Sequence, residues 1–152
     1  MKLEHVVRIL ASLALAATVT SAAKRDAAPV AADGWPETHE GAAGREYVKA
    51  FNGGDDAMKA FYVRSFHPDS LARRPPEKRL GRYHELRESY GTLAFASIVE
   101  QKPGELVVRL LDADAASHEF VFTLETSSPY RVRQVSMRQM QTVPHGMGGF
   151  HH

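Results

Sequence analysis

His118-Glu119-Phe120-Val121-Phe122-Thr123-Leu124-Glu125 is the stretch from which the fold is read. Phe120, Phe122 and Leu124 alternate with Glu119, Val121 and Thr123, the period-two pattern of a strand with one face inward and one outward. Immediately before it, Asp112-Ala113-Asp114-Ala115-Ala116-Ser117 is a polar turn, and before that Leu106 to Leu111 makes a second strand. Lys102-Pro103-Gly104-Glu105 carries the Pro-Gly turn signal that joins this strand to an earlier one, in which Leu93, Phe95, Ser97 and Val99 share a side. Downstream, Ser127-Ser128-Pro129 turns the chain into a last strand, about Tyr130 to Met140. Links this short are compatible only with antiparallel neighbours, so the C-terminal half is expected to be a four-stranded meander.

The period changes upstream of Thr92. Tyr47, Val48 and Phe51 recur at helical spacing within a first helix, roughly Glu37 to Phe51, which Asn52-Gly53-Gly54 stops. A second helix starts with a capping aspartate, Asp55 or Asp56, and presents Met58, Phe61, Tyr62 and Phe66. After a link, His67 to Arg74, Pro75-Pro76 opens a third helix that reaches Tyr90 and ends at Gly91. The expected class is α+β, with three N-terminal helices packed on a curved four-stranded antiparallel meander in a single domain over residues 37–140.

At the N-terminus, Lys2 and Arg8 precede an apolar run, Ile9 to Val19, which is closed by Thr20-Ser21-Ala22-Ala23. A basic start, an apolar middle and small residues at the end form a secretory signal peptide over residues 1–23. The run is far short of the ~20 residues that span a bilayer. The protein is therefore expected to be secreted or periplasmic, with no stable membrane insertion after cleavage. Residues 24–36 are rich in Ala, Pro, Gly and Asp and read as a disordered leader. Trp35 is its one large side chain and either packs back onto the domain, the favoured reading, or marks a partner contact. Residues 141–152, with His145, His151 and His152 among glycines, read as a disordered tail.

Removing Lys2, Arg8 and Glu4 from 19 basic and 18 acidic side chains leaves 17 of each. A neutral mature chain gives no electrostatic reason to bind nucleic acid. With no cysteine, thiolate zinc sites and disulfides are excluded. The His-Glu pairs at His39, His84 and His118 lack the second histidine four residues on that a zinc-protease helix requires. Ser21-Ala22-Ala23-Lys24 has β-lactamase spacing but straddles the cleavage point. No cofactor and no metal site is expected.

Tyr47-Val48-Lys49-Ala50-Phe51-Asn52-Gly53-Gly54-Asp55, set between the first two helices ahead of a meander, resembles the corner found in the nuclear transport factor two-like superfamily. Pro68 to Arg74, with Arg79-Leu80-Gly81-Arg82-Tyr83 after it, is similar to accessory domains found beside secreted serine hydrolases. The resemblance implies a cystatin-like cone enclosing a pocket and, in some members, dimerisation through the open sheet face, here Val107, Arg109, Val121 and Thr123. Isomerases of that superfamily need an Asp base with Tyr and protonated Asp donors. The strands here offer almost no inward acid, since Asp112 and Asp114 fall in a turn and Glu119 points away from Phe120. The expected function is accordingly a non-catalytic exported module that binds a small apolar molecule or an envelope protein, with a homodimer as the assembly the resemblance allows. Tyr47, Tyr62, Tyr83, His67 and His118 are the candidate ligand-binding residues. Arg73, Arg74 and Arg79 are a candidate docking patch for an acidic partner, against the alternative of a solvated helix face. The alternatives are a small isomerase, dehydratase or hydrolase with His67 or His118 as base and a tyrosine as proton donor, or the accessory half of a serine hydrolase.

Overall fold

A computed structural model describes residues 29–139, so the expected signal peptide, the first part of the expected leader, the expected tail and Met140 lie outside the described residues. The chain is α+β. Four helices, α1 (His39–Gly53), α2 (Asp55–Ser65), α3 (Pro68–Arg73) and α4 (Pro76–Tyr90), precede strands β1 (Ala94–Lys102), β2 (Glu105–Leu111), β3 (Ser117–Leu124) and β4 (Val132–Arg138). The strands form one antiparallel sheet in the order β1-β2-β3-β4, the expected meander. No described helix is long and apolar enough to cross a membrane.

The helix count differs from the sequence expectation because the link from His67 to Arg74 contains α3. His67 occupies its N-cap, where Nδ1 accepts from the Asp69 N–H at 3.1 Å, and Pro68 presets the first turn. Six residues without an apolar period leave no helical signature to read. Neither Asp55 nor Asp56 caps α2. Gly54 holds that position at φ 101°, a backbone that side chains resist, and both carboxylates sit in the first turn, at the positive end of the helix.

Parity in β1 also departs from simple alternation. Bulges between Phe95 and Ser97 and between Ile98 and Glu100 insert two unpaired residues. Phe95 therefore faces Leu110, Ile98 faces Val108 and Gln101 faces Leu106, a spacing of three in place of two. Ile98, not Val99, joins the core. Each bulge adds local bend and twist to the strand.

The helices bury their apolar faces on one side of the sheet, against Leu106, Val108, Leu110, Phe120, Phe122 and Leu124. Part of the leader belongs to this core, which corrects the expectation of disorder across residues 24–36. Val30 bridges Pro36, the Ala31 N–H donates to the Trp35 carbonyl at 2.8 Å, and Trp35 is only 3% exposed. Its ring lies 4.5 Å from Phe95 and 6.4 Å from Phe122. Gly41 and Gly44, one turn apart on α1, make the space: a Cβ on Gly41 would collide with the Pro36 carbonyl, and one on Gly44 with the Trp35 ring. The packing reading of Trp35 holds, and the ordered structure begins before residue 37.

Candidate functional site

The interior between helices and sheet is occupied by the protein's own rings. Tyr47 is 4% exposed and surrounded by Phe51, Phe61, Phe120 and Phe122, with centroids 5.4 to 6.2 Å away. Tyr62, 7% exposed, stacks edgewise on Phe66 at 5.3 Å. Burial pushes the Tyr47 hydroxyl above its ordinary pKa and the Tyr62 hydroxyl up to about 12. Tyr83, 2% exposed, donates its hydroxyl to the Phe51 carbonyl at 2.7 Å. These three tyrosines are core members, not the wall of an open cavity. A helical tyrosine at an apolar position has the same sequence signature in both roles, and only the facing strand decides between them.

Two other expected site residues are committed to structure. His67 accepts at Nδ1 from the helix it caps, and its Nε2 lies 2.9 Å from Glu125 Oε1. With one nitrogen accepting, the other carries the proton toward Glu125, so the ring has no free lone pair for a base's work. Arg79 donates from Nε to the Arg74 carbonyl at 2.8 Å and from Nη2 to the Ser70 carbonyl at 2.6 Å. Its guanidinium also lies 4.6 Å over the Phe66 ring, and burial lowers its pKa. It staples α3 to α4. Of the expected arginine patch, only Arg73 and Arg74 remain exposed.

His118 is held differently. Its Nε2 is 2.8 Å from Asp112 Oδ2, while Asp112 Oδ1 accepts from the Asp114 and Ala116 N–H groups, each at 2.9 Å. The hydrogen bond to His118 is the largest cause holding the Asp112 carboxyl below its ordinary value. The Tyr90 ring covers the imidazole at 4.2 Å. On the opposite sheet face, Glu119 is 9% exposed between Arg138 at 2.8 Å and Arg109 at 3.5 Å, and Val107 is buried. The face expected to serve a homodimer thus presents a linked row of charges, with Arg109 Nε buried and unpartnered.

The open site lies elsewhere, at the head of α1. A groove of about 1010 Å³ runs between the first turn of α1, the β1–β2 hairpin tip and the β3–β4 loop. Thr38 caps α1, with Oγ1 accepting from the Gly41 N–H at 3.0 Å, and Glu40 Oε1 accepts from the Gly104 N–H at 2.9 Å. That bond fixes the hairpin tip against the helix. Arg45 in the wall makes a two-toothed pair with Asp33 at 2.7 and 3.0 Å, which raises the Arg45 pKa and lowers that of Asp33. Lys102 lies 3.4 Å from Glu105.

At one end of the groove, His39 stacks flat on Tyr130, with centroids 3.7 Å apart and planes 8° from parallel. Tyr130 has φ 57°, a left-handed backbone uncommon for a bulky residue, so it lies in a turn before β4 and not in the strand expected to begin there. Beyond the stack is a smaller hollow of about 290 Å³, which also touches His39, Ala42 and Tyr130. Glu46 and Arg64, 3.6 Å apart, stand in its wall.

Sequence reasoning missed this site because three segments far apart in the chain build it and none carries a motif. The Lys102 to Glu105 signal announced a turn but not what the turn would face. Neither groove is lined by Tyr47, Tyr62, Tyr83, His67 or His118. Among the described residues, no group of three or more His, Asp or Glu side chains could hold a metal ion. No family model, curated protein or solved structure matches this chain.

Proposed function

We propose that the chain is an exported, non-catalytic binding module whose binding site is the groove at the head of α1. The observation that carries this is the contrast between an interior packed with rings and an open groove whose polar groups are held in place by hydrogen bonds. A preformed concave site with a few fixed polar groups is the usual form of a binding pocket. The cone-shaped arrangement of the nuclear transport factor two-like superfamily belongs to the same proposal, supported by helices on one sheet face and by bulges that bend β1. In this reading the cone is plugged. The ligand is received at the rim, not inside the cone.

Ala42 is exposed and lines both hollows, so Ala42→Trp fills the site without entering the core. Native mass spectrometry of protein recovered from the exported fraction is expected to show a retained ligand or partner that the Ala42→Trp variant loses at unchanged thermal midpoint. Equal retention by both forms would place binding elsewhere and end the proposal.

The Asp112–His118 pair favours a second reading, a small enzyme with His118 as base, because a carboxylate on one imidazole nitrogen is how a catalytic histidine is oriented. Turnover of a substrate that survives Ala42→Trp and collapses in His118→Gln would make this reading the correct one.

A further inference from the structure

We propose that the occupant of the groove is a chain of pyranose sugars, neutral or amino-bearing, lying across the His39–Tyr130 stack. This rests on the groove being the binding site, and it names the ligand class.

The stack is a flat ridge with a hollow on each side. His39 is exposed, Tyr130 is half-buried behind it, and both rings border the 1010 Å³ groove and the 290 Å³ hollow. A pyranose has a C–H face that packs on a ring and a rim of hydroxyls that need donors and acceptors together. A sugar seated on the ridge would place its neighbours in the two hollows. There the carboxylate of Glu37, the amide of Gln101 and the hydroxyl of Thr126 line one side, and Glu46 and Arg64 the other. Carboxylates accept, guanidinium donates, and amides and hydroxyls do both, which is the inventory that hydroxyl groups require.

The lining argues against an extended polypeptide. Apart from the His39–Tyr130 stack and the buried Leu106, the apolar surface of the larger groove comes from prolines, Ala42 and the aliphatic stems of charged residues, with no ring of large aliphatic side chains to anchor a peptide. Strand addition beside β1 is obstructed by its two bulges. Charge argues against an acidic polymer: Glu37, Glu40 and Glu105 outnumber Arg45 and Lys102, and Arg45 is already paired with Asp33. The left-handed Tyr130 supplies independent support. Its N–H donates to the Ser127 carbonyl at 2.9 Å, holding the ring against His39 at some conformational cost, and such strain clusters at ligand clamps.

The test is calorimetric titration of the full chain with chitotetraose, cellotetraose and the glucosamine tetramer. Saturable binding of at least one is expected, weakened roughly three- to tenfold by His39→Ala and by Tyr130→Asn, since ring contacts of this kind carry that much free energy. Asparagine tolerates the left-handed backbone, so Tyr130→Asn removes the ring and keeps the turn. Should it still unfold, His39→Ala on an exposed residue decides alone. No binding of any tetrasaccharide, or binding indifferent to His39→Ala, overturns the proposal. A photo-cross-linking residue at Thr126 separates the two levels of failure. Adducts with an envelope polypeptide and no sugar binding would sink the saccharide while sparing the groove, and neither adducts nor sugar binding would sink both.

Discussion

Gly44→Ala and Gly81→Ala make the same chemical change in the middle of two helices and should move stability in opposite directions. Replacing an interior helical glycine by alanine ordinarily stabilises by about 1 kcal/mol, because the backbone has less freedom to lose on folding. At Gly81 in α4 a new Cβ meets nothing within 4 Å, so that gain should be realised in full. At Gly44 in α1 the Cβ would penetrate the Trp35 ring at Cζ3 and sit 3.0 Å from its Cη2. Trp35 cannot tilt away, because Phe95 lies 4.5 Å behind it. Overpacking a tight site costs about 1–3 kcal/mol, and a rigid ring backed by another belongs at the upper end. Offsetting this by the propensity gain leaves a net loss of about 2 kcal/mol for Gly44→Ala. The chain has one tryptophan, so urea unfolding followed by its emission reads both the midpoint and the burial of the displaced ring. The Gly44→Ala protein should unfold at lower urea with red-shifted native emission, and the Gly81→Ala protein at higher urea with emission unchanged. If both variants were stabilised alike with native emission intact, the close seating of Trp35 on α1 would be refuted.

Tyr83→Phe removes the bond to the Phe51 carbonyl, but Arg87 Nη1 also donates to that oxygen at 2.8 Å, so the loss should be about 1 kcal/mol by chemical denaturation, without the penalty of an orphaned acceptor. Asn52 spans from α1 to the start of β1, with Nδ2 donating to the Leu93 carbonyl at 2.8 Å and Oδ1 accepting from the Leu93 N–H at 2.9 Å. Asn52→Asp sets a carboxylate oxygen against that carbonyl and should cost about 1–2 kcal/mol at neutral pH, with part of the loss recovered in acid as the new carboxyl protonates. Asp112 has a folded pKa held below 3.8 by His118, so its contribution to stability is complete above that pH and is lost as pH falls through the depressed value. Asp112→Asn should therefore be less stable than the parent at pH 6, with the gap closing below pH 3.8 in acid unfolding curves; a gap that stays constant into strong acid would contradict the pairing with His118.

The resemblance that led to the expectation of a cone also included Phe51-Asn52-Gly53-Gly54-Asp55 in its corner, and four of these five residues have an identifiable physical task. Phe51 is fully buried, Asn52 ties α1 to β1, Gly54 takes the positive φ between helices, and Asp55 sits in the first turn of α2, 2.7 Å from His84. The turn at Gly54 and the first-turn place of Asp55 are legible because they are short-range; the bonds of Asn52 to Leu93 and of Asp55 to His84 reach across the fold and are not.

Periodicity and turn chemistry were sufficient for the meander, for three of the four helices and for the α+β class, because each depends on neighbours within a few residues along the chain. The alternation of Phe120, Phe122 and Leu124 could face only one way once one side of the sheet was buried. What lay beyond reach depended on contacts across the fold. The bulges that put Ile98 in the core in place of Val99 are set by pairing with β2. Whether Tyr47 would line a cavity or fill it was decided by Phe120 and Phe122, more than seventy residues later. The groove has no local signature, since His39, Gly104 and Tyr130 meet only when α1, the hairpin tip and the β3–β4 loop are packed together. A sequence determines directly those features whose free energy is spent within a turn of helix or a strand pair; a binding surface assembled from loop ends is left to the tertiary packing that brings them together.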